Sequence, residues 1–165
     1  RVLSRFVDGI MIRTFSHDSV KELAEYATVP VINGLTDLLH PCQALTDMFT
    51  IQEKLAVLKG RKLVYVGDGN NMAHSLMFAC AKVGMNMVCA SPKGYQPDPV
   101  ILAEAQADAA ETGCTITVEE DIFKAAQGAD VEGDEEYDGI IAVAVRSKCV
   151  EHNLTAVAAQ AEFYL

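Results

Sequence analysis

Residues 62–71 read Lys62-Leu63-Val64-Tyr65-Val66-Gly67-Asp68-Gly69-Asn70-Asn71. Four consecutive apolar or aromatic residues bounded by a Gly-x-Gly turn predict a strand buried on both faces. The next stretch, Asn71 to Val83, is apolar and Ala-rich enough for a buried helix, with Gly84 placed to cap its C-terminus. A strand that feeds a Gly turn and then a helix is the elementary unit of a parallel α/β sheet.

The unit repeats outward along the chain. Downstream, Asn86–Ala90 reads as the next strand, Asp98 to about Thr112 as a helix ended by Gly113, Cys114–Val118 as a strand, and Asp121–Gln127 as a short helix closed by Gly128. Upstream, Lys59-Gly60 ends a helix opened by His40-Pro41, whose expected apolar face is Ala44, Leu45, Met48, Phe49, Ile51 and Leu55. Before it, Gly9–Arg13 and Val29–Gly34 read as short strands. They flank a helix capped by Asp18, with Val20, Leu23, Ala24 and Ala27 at helical spacing, which makes a compact βαβ unit. The expected fold is a single α/β domain over 1–165: a mostly parallel sheet with helices on both faces, Rossmann-like.

Past Val131 the texture changes. Residues 130–138 hold six carboxylates in nine positions, most simply a solvated loop. Gly139–Val145 reads as a buried strand and Val150–Leu165 as a helix. That strand can join the sheet of the Gly67 half or pair with the βαβ unit.

The formal charge is −10 and the pI about 4.7. An acidic surface repels a phosphate backbone, so nucleic acid is not an expected partner. A small anion is compatible, because a local Arg or helix start outweighs net charge at short range. The five cysteines, Cys42, Cys80, Cys89, Cys114 and Cys149, form no C-x-x-C pair and suit the reduced interior of a cytoplasmic protein. No apolar run reaches membrane-spanning length, and the opening Arg1-Val2-Leu3-Ser4-Arg5 has no signal-peptide character.

Two segments carry chemistry. At the Gly67 turn, glycine allows close backbone approach, free amides can receive an anion or carboxylate, and Asn70 and Asn71 can either cap the helix or present donors to an amino acid head group. A dinucleotide site would need a small residue where Met72 stands and an acidic residue ending the following strand, which runs into Ser91-Pro92-Lys93 instead, so NAD is not expected. At His40-Pro41-Cys42-Gln43, Pro41 suits the first helical position, and His40 and Gln43 lie one turn apart at the positive helix end, where they suit a polarised carbonyl or a phosphate. His40 and Cys42 lack further ligands at metal-binding spacing, so no metal is expected. Arg13 ends the first strand, where ligands of parallel sheets gather and a guanidinium can bind phosphate bidentately. A capping histidine and a surface arginine are the plainer readings. His17, His74 and His152 have no evident partner in sequence.

Five segments in order carry a resemblance: Met11-Ile12-Arg13-Thr14-Phe15, Asn33-Gly34-Leu35-Thr36-Asp37, His40-Pro41-Cys42-Gln43, Gly67-Asp68-Gly69-Asn70-Asn71 and Ser91-Pro92-Lys93-Gly94-Tyr95. Together they resemble ornithine carbamoyltransferase from Arg1 to about Val131. The resemblance implies a transferase of arginine biosynthesis that moves a carbamoyl group from carbamoyl phosphate to ornithine, giving citrulline and phosphate, with no cofactor and no metal. It implies that residues 1–58 correspond to the end of the carbamoyl phosphate domain and a linking helix, and 59–131 to the ornithine-binding domain. Arg13 and His40 would polarise the carbonyl and stabilise the oxyanion. Gln43 would orient the carbamoyl group, with Pro41 and Cys42 beside it. Asn71, with Asn70 next to it, would hold the amino acid end of ornithine. The family is trimeric through its first domain.

The chain also departs from the pattern. The family's Ser-x-Arg-Thr phosphate loop is not found. The acidic run from Glu132 stands where an Asp and a Ser-Met-Gly element are expected, and Ala144-Val145-Arg146-Ser147 does not match the family's His-Cys-Leu-Pro segment. Three functions therefore compete: a shortened carbamoyltransferase, a non-catalytic module with weak ligand binding, and a fragment, chimera or engineered scaffold with a foreign C-terminal strand and helix. If activity exists, Arg13→Ala and His40→Ala should reduce it sharply and His17→Ala should not.

Overall fold

The computed structural model describes residues 1–130 and the backbone of a strand at 140–142. The acidic run beyond Asp130, the rest of the expected strand at 139–145, the expected helix at 150–165, His152 and Cys149 lie outside the described residues.

The Gly67 turn sits at the centre of a four-stranded, fully parallel sheet. Its strands are β3 (Lys62–Val66), β4 (Asn86–Ala90), β5 (Ile116–Glu119) and β6 (Ile140–Ala142), in the order β5-β4-β3-β6. β6 pairs with β3, Leu63 opposite Ile140, so the late strand joins the Gly67 half. Alternation along β3 divides the core. Leu63 and Tyr65, with Met87, Cys89 and Ile116, meet the helices α3 (Asn71–Val83) and α4 (Pro99–Thr112), whereas Val64, Val66 and Ala90 meet the short helix α5 (Ile122–Ala126) on the other face. Both faces of the sheet are thus covered, the condition for strands this apolar. Asp130 ties the end of the described chain back to β3: its carboxylate accepts from the Lys62 amide at 2.8 Å and pairs with Arg61 at 3.0 Å.

A second, two-stranded parallel sheet holds β1 (Ile10–Arg13) and β2 (Val31–Leu35), joined by α1 (His17–Tyr26). This is the βαβ unit. Its helix is capped by Ser16, whose hydroxyl accepts from the Ser19 amide, and not by Asp18. Asp18 lies in the first turn, where its charge faces the positive helix end.

The helix α2 (Pro41–Leu55) joins the two sheets. Ala44, Met48 and Ile51 are buried on the main core, and Leu55 packs against it. Leu45 and Phe49, expected on the same face, are 69% and 61% exposed. The buried stripe follows 44, 48, 51 and 55, and residues one step ahead of 44 and 48 are rotated out of it by about 100°. The helix ends at Leu55, where Ala56 takes a left-handed φ of 61°, four residues before the Gly60 stop expected from sequence. Among the described residues no helix is long and apolar enough to cross a membrane.

Candidate functional site

The carboxyl ends of β1 and β2 and the start of α2 bring Arg13, His40 and Gln43 toward one region. Arg13 is the last, exposed residue of β1. His40 precedes Pro41, the first residue of α2, and makes no side-chain cap of the helix. Its backbone N–H donates to Ser75 Oγ on α3 at 2.6 Å, so the position of His40 is set from the other half of the molecule.

The state of the His40 ring follows from its surroundings. Burial and the Arg13 guanidinium hold its pKa below the usual imidazole range, against a smaller opposing pull from Asp47. The ring is therefore mainly neutral near pH 7, with one nitrogen an N–H donor and the other an acceptor. Its Nδ1 is buried without a hydrogen-bond partner. Leaving such an atom unpaired costs stability, and sites of this kind are commonly functional.

Gln43 is exposed one turn further on. Its Nε2 donates to Asp47 Oδ1 at 2.9 Å, which leaves Oε1 available as an acceptor. Burial pushes the Asp47 carboxyl above its ordinary pKa, partly opposed by the bond from Gln43 and by His40. Pro41 is half-buried, and Cys42 donates its thiol to Asn33 O at 3.4 Å, linking α2 to β2.

The Gly67 turn is organised differently. Tyr65 reaches Asp68 O and Asn70 Oδ1, and Ser91 Oγ donates to Gly67 O at 2.6 Å. Of the amides expected to be free, Gly67 N–H donates to Ala90 O, Gly69 N–H to Tyr95 O, and Asn70 N–H to Asp68 O. The first helical amides, Met72 and Ala73, are taken by Asn70 Oδ1. Gly69 is required for space: a Cβ there would stand 2.1 Å from Pro97 N. The reading of this turn as a set of free amides is thus corrected for Gly67, Gly69, Asn70, Met72 and Ala73, whose N–H groups go to Ala90 O, Tyr95 O, Asp68 O and Asn70 Oδ1.

Asn70 Nδ2 donates to Asp68 Oδ1, so Asn70 serves the turn. Asn71 Nδ2 donates to Thr36 O at 2.7 Å and points toward the segment that leads to His40. One face of α3 therefore holds residues 36–40. Asn71 bonds Thr36, the His74 ring bonds Leu38 O at 3.0 Å, and Ser75 accepts from His40. His74 Nε2 accepts from the Asp98 N–H at 3.1 Å, so its Nδ1 must carry the proton given to Leu38. His17, also without an evident partner in sequence, meets Thr36 Oγ1 at 3.1 Å.

Asp47, Ser75 and His74 are the residues that sequence reading missed. Asp47 was detectable, being four residues after Gln43 and seven after His40 on one helix face. Ser75 and His74 act through contacts across some 35 residues of chain, for which local spacing holds no signal.

Residues 1–53 match the model of the aspartate/ornithine carbamoyltransferase carbamoyl-P binding domain, and residues 59–132 that of the Asp/Orn binding domain. The ornithine carbamoyltransferase of Anoxybacillus flavithermus is 60% identical over 131 residues, covering 79% of this chain and 42% of that protein. Among solved structures, ornithine carbamoyltransferase from Pyrococcus furiosus superposes with a TM-score of 0.76 at 55% identity, covering 79% of this chain and 42% of that one. The enzyme from Gloeobacter violaceus gives 0.75 at 53% identity, over 78% and 45%. The chain thus spans less than half the length of the relatives it matches.

Proposed function

The chain belongs to the aspartate/ornithine carbamoyltransferase family, and from that premise we propose that its site serves carbamoyl transfer from carbamoyl phosphate to the side-chain amine of ornithine. Residues up to the linking helix take the carbamoyl phosphate side, and residues from about 59 onward the amino acid side.

In this reading the Arg13 guanidinium and an N–H of neutral His40 face the carbonyl oxygen of carbamoyl phosphate. As the ornithine nitrogen attacks the carbonyl carbon, that oxygen gains negative charge, which fixed donors stabilise more than they stabilise the ground state. Collapse breaks the bond to the phosphate oxygen, phosphate leaves with the electron pair, and the proton lost by the amine passes to the departing phosphate. Gln43 Oε1 receives the carbamoyl N–H and orients the group, while Pro41 and Cys42 shape the wall beside it. Asn71 holds the amino acid end of ornithine, and Asn70 keeps the turn in shape. The trimeric assembly of the family and a cytoplasmic location belong to the same proposal.

The observation that carries this reading is the His40 ring. It feels the Arg13 charge, and its buried Nδ1 has no partner. A second reading, ligand binding without turnover, is favoured by the 42% share of the relatives that the chain spans. Citrulline formation by the purified chain separates the two. Turnover that His40→Ala abolishes supports the transferase. A folded chain that binds carbamoyl phosphate without forming citrulline supports the second reading, and one that does neither refutes both.

A further inference from the structure

Asp47 is a half-buried carboxylate hydrogen-bonded to Gln43 one turn before it. It lies on α2 with its charged form penalised by burial. A folded-state pKa raised in this way contributes stability only at acid pH. That contribution is lost as pH rises through the raised value, so at neutral pH the ionised group is a burden on the fold. The geometry offers a different reason for it. An ionised carboxylate only accepts hydrogen bonds, so the group that Gln43 turns toward Asp47 must be its Nε2, at 2.9 Å. The opposite end of the carboxamide, Oε1, is then left facing away as an acceptor.

We propose that Asp47 is a positioning residue: through its bond to Gln43 Nε2 it fixes which end of the Gln43 carboxamide is presented to substrate. This rests on the reading of Arg13, His40 and Gln43 as the carbamoyl phosphate subsite. An Oε1 acceptor suits a carbamoyl –NH2 and offers nothing to the methyl group of an acetyl phosphate. A flipped carboxamide would present a donor instead and lose that discrimination. Two charged groups act on His40: Arg13 from β1, which disfavours its protonation, and Asp47 from α2, which favours it. Asp47 in turn accepts from Gln43 Nε2 and feels the His40 charge.

The test is nuclear magnetic resonance on the full chain, following the Gln43 side-chain NH2 and the His40 ring through a pH titration. Wild type is compared with Asp47→Asn and with Glu53→Gln, an exposed carboxylate of the same helix. In Asp47→Asn the Gln43 signals should move and the His40 midpoint should fall to lower pH, while Glu53→Gln leaves both in place. Thermal stability at pH 7 should not fall in Asp47→Asn, which a merely structural residue would not allow. Unchanged Gln43 signals overturn the proposal. If Asp47→Asn fails to fold, acid titration of the wild type decides. The Gln43 signals should then move together with an Asp47 carboxyl that titrates above the ordinary aspartate range, and their independence of it overturns the proposal. Adding carbamoyl phosphate or acetyl phosphate separates the two layers. Preference for the carbamoyl compound, lost in Asp47→Asn, supports both. Binding of neither compound, with the Gln43 and His40 effects intact, sinks the subsite reading and leaves the positioning role standing.

Discussion

The starts of α2 and α3 invite comparison, because each follows a parallel strand and each looks in sequence like a place to hold an anion. At α3 almost every polar group is spoken for within the protein. Asn70 caps two amides and is itself held by Tyr65 and Asp68, and the 92–97 loop closes over Gly69. At α2 there is no side-chain cap, His40 Nδ1 has no partner, and an exposed Arg13 lies close enough to depress the ring's protonation. The glycine-rich turn is mainly a structural knot, and the histidine turn is the one left chemically open. Glycine content reports close backbone approach, and here the approaching backbone is the protein's own.

That contrast can be broken most severely at Gly69. Gly69→Ala would drive a Cβ into the Pro97 backbone, which cannot yield as a flexible side chain would. We expect a loss of about 4 kcal/mol or more, or failure to fold, read by chemical denaturation. A loss below about 1 kcal/mol would show the 92–97 loop to be loosely held. The opposite signature is expected at α2. His40→Ala and Arg13→Ala should each lower turnover by about 10²–10³-fold, with thermal stability little changed. Equal turnover in these variants and in Lys21→Ala, an exposed position on α1, would remove both residues from the site.

Asn70→Ala sharpens the comparison at smaller scale. It removes a helix cap and the Tyr65 and Asp68 contacts, and should cost about 2 kcal/mol by denaturation. If ligand affinity fell with no stability change, Asn70 would belong to substrate and not to the turn. The pH response is the gentlest probe. Because the His40 pKa is held low, its neutral form persists in the folded chain below pH 6.5, the unperturbed imidazole value. The stability that depends on this neutral form is complete above that value and is lost as pH falls through the depressed one. Carbamoyl phosphate binding should accordingly stay level from pH 8 to about 6.5 and change only below it. A transition centred above that range would contradict the Arg13 influence.

Much of this architecture is legible along the chain. The apolar run Leu63–Val66, the glycines at 84 and 113, and Asp98 before Pro99 mark strand, stop and start by local chemistry alone, and the elements follow them. Less legible is which side of a helix meets its neighbour. Leu45 and Phe49 are as apolar as Met48, yet only Met48 lies on the line where α2 meets α3. The cap of α1 shows a similar limit. Ser16 and Asp18 both suit that role, and the choice depends on where the chain leaves extended φ and ψ.

The sequence by itself determined the parallel α/β order of strands and helices, because periodicity, capping chemistry and side-chain type are local properties. Only the tertiary structure decided that the Gly67 amides are occupied, that β6 lies beside β3, and that Ser75, His74 and Asn71 hold the segment bearing His40. Those outcomes depend on which groups meet across distant stretches of chain. A hydrogen bond is satisfied by whatever donor or acceptor the fold brings within about 3 Å, whatever its distance along the sequence.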